Sequence, residues 1–375
     1  MKHLVLIGGG HSHVEVIRRL GLAPPEGARI TLIGRERHTP YSGMLPGHIA
    51  GHYRFEQMHM DLNRLAAFAR ATYIQDEAVA VDLQARRVIC RAGEPVPFDV
   101  LSINAGITPR VSDIPGAAEH AVPVKPIGKF LERWKQLRQR VQTASGSLRI
   151  GTVGAGAGGV EVLLAIQHAL GSLPEVRAGK VVLEYFLVSA GDILPTHHAG
   201  VRRRFARVLA RRGVRVLTGK TVSAVQAGLL KFSGGDTLAL DEILWVTQAA
   251  APEWLRAAGF AVNAQGFIEV ADTLESLSHA GVFAAGDVAA VVNYPREKAG
   301  VFAVRQGPPL ADNLRRALQG QALEPFTPQK KFLGLISTGD QYAVASYGGW
   351  SAEGRGVWRW KDWIDRRFMA RYHRL

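Results

Sequence analysis

One pattern, a short apolar strand followed by a glycine turn and then a helix, occurs twice in this chain, and that repetition restricts the fold more than any other feature. In the first copy, His3 to Ile7 reads as a buried strand. Gly8-Gly9-Gly10-His11-Ser12-His13 follows at once, and Val14, Ile17, Arg18 and Leu20 continue at helical spacing. A dinucleotide site requires that order, because the backbone must approach a pyrophosphate closely while the helix N-terminus aims its free N–H groups at the charge. Gly8 and Gly10 fit the first two glycines, His13 stands at the third, and Gly34 closes the next strand, Arg29 to Ile33, with Arg35 and Glu36 just beyond. The second copy is complete. Arg149 to Val153 is the strand, Gly154, Gly156 and Gly159 supply all three glycines, and Val160 to Leu170 is the helix. Its next strand, Val182 to Val188, ends at Ser189, where an NAD site usually has a carboxylate, and no arginine directly follows to receive a 2′-phosphate. The NAD or NADP choice is left open at this level.

Composition agrees with a folded chain of two or three domains: 375 residues, 47% hydrophobic and 21% charged. Lys and Arg exceed Asp and Glu by 14, so a polyanionic surface, lipid or nucleic acid, is an expected neighbour. A single cysteine, Cys90, excludes an intrachain disulfide and a CxxC pair, and reads as a small apolar core residue. No metal site is expected; adjacent His197 and His198 read as a solvated pair. The N-terminus lacks a signal-peptide pattern and no spanning apolar run occurs, so a cytoplasmic protein, or a peripheral one at the inner face of a membrane, is expected. Phe130 to Val141 reads as a basic connecting helix.

Further motifs appear in a fixed order: Asn104-Ala105-Gly106 with Pro109, Thr247-Gln248-Ala249, and an apolar strand from Gly281 ending in Ala285-Gly286-Asp287. With the two glycine turns, this order resembles the two-dinucleotide-fold flavoproteins of the pyridine nucleotide-disulfide oxidoreductase superfamily. Thr39 to Gly47 and Lys298 to Pro308 are most similar to the flavoprotein module fused ahead of selenophosphate synthetase in some bacteria. Type II NADH dehydrogenases and sulfide:quinone reductases are more distantly similar. The resemblance implies an α/β fold: two Rossmann-like, three-layer ββα dinucleotide-binding domains plus a small C-terminal α+β region. It implies FAD on residues 1–115 and 265–325, near Gly8, Gly10, His11, Arg35, Glu36, Met44, Ala105, Gly106, Gly286 and Asp287. It implies NAD(P)H on residues 116–264, near Gly154, Gly156, Gly159 and Glu161, with Glu161 beside the nicotinamide. Lys298 and Gln306 bracket the stretch expected beside the flavin ring, which makes Glu161, Lys298 and Gln306 the candidate catalytic residues.

The activity so implied is an FAD-dependent NAD(P)H oxidoreductase, with hydride passing from nicotinamide to flavin and two electrons on to a quinone or other small acceptor, without a redox disulfide. The glutamine pair of the membrane enzymes is replaced at the matching positions by Val301 and Arg305, and His11, His13, His38 and Tyr41 are candidates for protonating an acceptor. A flavin-bearing sensor or electron carrier docking to a protein partner, in selenium metabolism as the fusion suggests, is an alternative. A basic nucleic-acid-binding protein is another, less favoured because no recognition motif accompanies the charge.

Residues 326–375 form a separate region. Lys331 to Ser337 and Tyr342 to Tyr347 read as a hairpin through Gly339-Asp340, and four of the seven tryptophans follow it. On a helix, Val357, Trp360, Ile364 and Phe368 share one face, opposite Arg359, Asp362 and Arg366. Such a basic amphipathic helix over 357–375 suits an anionic membrane surface, its own flavin domain, or a homodimer partner.

Overall fold

The computed structural model describes residues 1–109, 113–247 and 249–375, so Gln248 of the expected motif lies outside the described residues. Two five-stranded parallel sheets organise the chain. The first runs in the order Val282–Ala284, Val100–Ile103, Lys2–Ile7, Ala28–Gly34, Thr72–Gln75. The second runs Val122–Pro123, Glu242–Trp245, Gly146–Val153, Val181–Val188, Val214–Leu217. Strands covered on both faces must be apolar almost throughout, and Leu4, Val5 and Leu6 are fully buried as that demands. In each sheet the strand before the glycine turn has neighbours on both sides, which opens a crevice at its carboxyl end. The chain returns to the first sheet at Val282–Ala284 after completing the second.

Two helices lock the first crevice. His11–Leu22 begins in the glycine turn, and Gly300–Gln319 packs along it. Ser12 Oγ donates to the Ala303 carbonyl at 2.7 Å, and Gly307 permits the contact, because a Cβ there would stand 2.7 Å from Glu15 Cβ. The helix Ile127–Thr143 is more than a solvated connector: Phe130, Trp134, Leu137 and Val141 are buried.

The C-terminal region departs from expectation twice. The hairpin strands Gly334–Ser337 and Ala343–Tyr347 are present, but a third, Trp350–Gly354, joins them antiparallel, with Tyr347 paired to Trp350 across Gly348-Gly349. The helix Arg355–His373 is also rotated from the face that hydropathy selects. Its buried stripe is Lys361, Asp365, Phe368, Met369 and Tyr372, while Trp360 and Trp363 are exposed. Lys361 donates to Asp365 at 2.6 Å and to the Gly43 carbonyl at 2.7 Å, so the two charges go inside as a pair. Tyr372 adds a bond to Glu15 of the first helix at 3.1 Å, and burial of each large apolar side chain contributes roughly 1.5–3 kcal/mol.

Burial lowers the pKa of His11 and of His13 to about 4. In the unfolded chain both would titrate near ~6.5, so below that pH the unfolded state takes up protons that the native state refuses. Native stability must therefore fall as pH drops from about 6.5 towards 4. The urea midpoint is expected to be lower at about pH 5 than at about pH 7; equal midpoints would contradict the neutral, buried imidazoles.

Candidate functional site

Both glycine turns are forced by close backbone contacts. At Gly8, with φ of +91°, a Cβ would lie 2.4 Å from the Asn104 carbonyl oxygen, and at Gly10 it would lie 2.2 Å from Asn104 Oδ1. In the second turn Gly154 has φ of +114°, and a Cβ on Gly159 would meet the Gly154 carbonyl oxygen at 1.9 Å. The first turn solves the same problem differently. Its third position is His13, whose ring Nδ1–H donates to the equivalent carbonyl, that of Gly8, at 2.7 Å, while Nε2 accepts from Ser102 Oγ at 2.8 Å. With both ring nitrogens engaged and the ring buried neutral, His13 braces the turn and has no proton to offer an acceptor. The helices starting at His11 and Ala157 each present free N–H groups at these turns, and the space in front of Gly156 and Gly106 is open.

Two adjoining cavities lie over the turns. One, of about 460 Å³, is lined by Gly8, Gly10, His11, Arg35, Glu36, Ala105 and Gly106. The other, of about 990 Å³, is lined by Gly158, Glu161, Gly286, Phe302 and Gln306, with Leu45, Pro46 and Val124. Ser42, Lys125, Asp287, Lys298 and Ala303 belong to both walls. The residues fit a dinucleotide with a polyol arm. His11 Nε2 is buried without a hydrogen-bond partner among the described residues, and the smaller cavity follows the glycine backbone. Asp287 Oδ2 accepts from Lys125 Nζ at 3.0 Å, which leaves the second carboxylate oxygen for hydroxyl groups.

Asp287 is held by its surroundings. Gln306 Oε1 accepts from the Gly286 N–H at 2.6 Å, and Asn104 Nδ2 donates to the Ala285 carbonyl at 2.7 Å. Gln306 is thus a positioning residue for the Gly-Asp turn. Lys298 donates to the Ala289 carbonyl at 2.5 Å and rests 4.0 Å from the Phe267 ring centroid. Burial brings its pKa down to about 8, partly opposed by Asp287.

Glu161 is half-buried at the wall of the larger cavity, between the second glycine turn and the C-terminal region. Its Oε1 accepts from the Ser337 N–H at 2.7 Å, and burial raises its pKa against the pull of Lys361. Asp365 is likewise raised by burial, although Lys361 and Tyr41 stabilise its charged form. Burial disfavours the Lys361 ammonium, but Asp365 and Glu161 outweigh it and raise the pKa. Two carboxyls therefore act on one buried ammonium, and of the three groups Glu161 lines the larger cavity.

The sequence candidates divide accordingly. Gly8, Gly10, His11, Arg35, Glu36, Ala105, Gly106, Gly286, Asp287, Glu161, Lys298 and Gln306 all line the two cavities, while Gly154, Gly156 and Gly159 build the second turn beside them. Met44 lines neither; it is buried in the core, and Ser42, Leu45 and Pro46 face the space instead. Tyr41 is directed to Asp365, and burial raises its pKa further from neutrality. Arg305 is exposed and lines neither cavity, while Phe302 gives the larger one an apolar wall. His197 and His198 are engaged with the C-terminal sheet, through Ser346 Oγ at 3.0 Å and the Trp350 carbonyl at 3.1 Å, and are not a solvated pair. Lys125, Lys361 and Asp365 were not anticipated. Lys125 meets a carboxylate 162 residues away, a distance at which no local pattern gives a signal.

Comparison with known proteins agrees with this geometry. The chain is 24% identical over 346 residues to the NADH dehydrogenase-like protein YutJ of Bacillus subtilis, covering 90% of each. It is 22% identical over 343 residues to the type II NADH:quinone oxidoreductase of Staphylococcus aureus, covering 87% of this chain and 85% of that one. The fold matches that of the sulfide:quinone oxidoreductase of Aquifex aeolicus with a TM-score of 0.82 at 19% identity, over 99% of this chain and 91% of that chain. The pyridine nucleotide-disulphide oxidoreductase family matches residues 2–314, and the chain belongs to it.

Proposed function

We propose that this protein is an FAD-dependent NAD(P)H oxidoreductase that delivers two electrons to a quinone-type small acceptor. The observation that carries the reading is the meeting of two dinucleotide turns at adjoining cavities joined through Asp287 and Lys298. FAD held there would supply the hydride-accepting and two-electron chemistry that links a nicotinamide nucleotide to the acceptor. The residues 1–115 and 265–325 hold the flavin, residues 116–264 the nicotinamide nucleotide, and residues 326–375 close the acceptor side.

The chain's own groups supply binding, shape and protons. The amides of Gly9 and Gly10 and the His11 ring receive the pyrophosphate, and Asp287, fixed by Gln306, orients the polyol arm. Leu45, Pro46, Val124 and Phe302 give the acceptor side an apolar wall suited to a flat ring. Quinone reduction consumes protons, and Glu161 is a carboxyl held towards its protonated form by burial, with one oxygen fixed by Ser337. A thiol relay of the sulfide-oxidising kind is not part of this reading: Cys90 is buried in the strand Arg87–Cys90 and lines neither cavity.

Attachment to an anionic membrane is the second part of the proposal. No helix among the described residues is long and apolar enough to cross a bilayer. Trp350, Trp360 and Trp363 are exposed together with Arg355, Arg359, Arg366 and Arg367, the mixture that interfacial binding uses.

Mixing the purified protein anaerobically with NADH and with NADPH should bleach the oxidised flavin band; a flavin-loaded protein that neither bleaches would refute the enzyme reading. Asp287→Ala is expected to weaken FAD retention about tenfold, the loss of one charge-assisted contact, and full occupancy after gel filtration would sink the assignment. Glu161→Gln should slow quinone turnover on the order of 100-fold while sparing FAD content. Replacing Trp360 and Trp363 by Ser should reduce cosedimentation with phosphatidylglycerol vesicles, and unchanged pelleting would remove the membrane claim.

A further inference from the structure

Resting on the nicotinamide site proposed above, we infer that this site accepts the 2′-phosphate of NADP(H), with Lys220 as its cationic partner. The Gly154 N–H donates to the Val188 carbonyl at 2.8 Å, so the next residue, Ser189, stands directly beside the first glycine of the turn. That is the end of the second strand of a dinucleotide fold, where a carboxylate selects NAD(H) by bonding the adenosine ribose hydroxyls and repelling a phosphate. Ser189 is half-buried and brings no charge. The nearest following carboxylate, Asp192, is drawn away by Arg202 at 3.0 Å.

The positive charge comes from the loop that follows the adjacent strand, Val214–Leu217, instead of from the same loop. The Lys220 N–H donates to the Ser189 carbonyl at 3.0 Å, and the Ser189 N–H donates to the Leu217 carbonyl at 2.9 Å, so the two loops are laced together. Gly219, with φ of +68°, makes the bend that brings Lys220 into this contact. Both backbone groups of Ser189 are thereby used, and its hydroxyl remains for a phosphate oxygen. The Lys220 ammonium pairs with Asp236, a carboxylate that is 63% exposed on a neighbouring hairpin. An exposed pair of this kind is weak and readily exchanged. A phosphate dianion beside Ser189 is the stronger competitor for the ammonium, since it carries more charge and more acceptor oxygens. Sequence patterns overlook this because the usual search looks for an arginine just after the strand.

The test is calorimetric titration of the FAD-loaded protein with the oxidised nucleotides NADP⁺ and NAD⁺, which reads binding without turnover. NADP⁺ should bind at least as tightly as NAD⁺. Lys220→Gln should weaken NADP⁺ about tenfold and leave NAD⁺ unchanged. Asp236→Asn, which frees the ammonium, should tighten NADP⁺, and Ser189→Glu should reverse the preference. If NAD⁺ binds well and NADP⁺ poorly, or if Lys220→Gln weakens both equally, the 2′-phosphate assignment is wrong while the oxidoreductase reading stands. If neither nucleotide binds, the nicotinamide site itself is wrong and this inference falls with it.

Discussion

The side chain of Asn104 is the joint on which the flavin side of the molecule depends. It follows the strand Val100–Ile103, and its own N–H donates to the Ile7 carbonyl at 2.8 Å. From there Nδ2 reaches Ala285, and Oδ1 lies where a Cβ on Gly10 would be. A Cβ on Gly286 would be 2.3 Å from Asn104 Nδ2, so Gly10 and Gly286 are glycines because of the Asn104 amide, and Gly8 because of the same residue's backbone carbonyl. Three strand ends far apart in sequence converge on one amide. Because that amide is buried, substitution leaves the Ala285 carbonyl and the His13 N–H unpaired together.

Much of this arrangement was legible in the sequence, for a physical reason. Close approach of backbone to backbone excludes side chains, and glycine is the residue that records such exclusion. Gly8, Gly10, Gly154 and Gly159 therefore announce their turns, and Asp287 follows a glycine that marks its strand end. Buried parallel strands likewise announce themselves as apolar runs.

What stayed hidden depends on charges placed against expectation. Hydropathy periodicity sends Lys361 and Asp365 outward, yet each neutralises the other, and the helix turns them inward and leaves Trp360 in solvent. Lys125 and Asp287 meet only when both sheets are assembled. His13 looks like a defect in a glycine pattern, and the fold uses its ring as a spacer bonded to the same carbonyl that Gly159 touches in the other turn. Met44 sits in a motif whose neighbours face the cavity, but a turn of 3₁₀ helix at Ser42–Met44 points it to the core.

The Lys361 pairing carries a consequence for how the C-terminus assembles. An apolar helix can slide by one turn along an apolar groove and lose little. A helix whose inner face holds an ammonium, matched to Asp365, the Gly43 carbonyl and the nearby Glu161, has a single seat, since displacement strands a charge among Phe368, Met369 and Tyr372. Docking of the tail is thus all or none, and the last nineteen-residue helix is keyed to one seat by a charge instead of by its apolar surface.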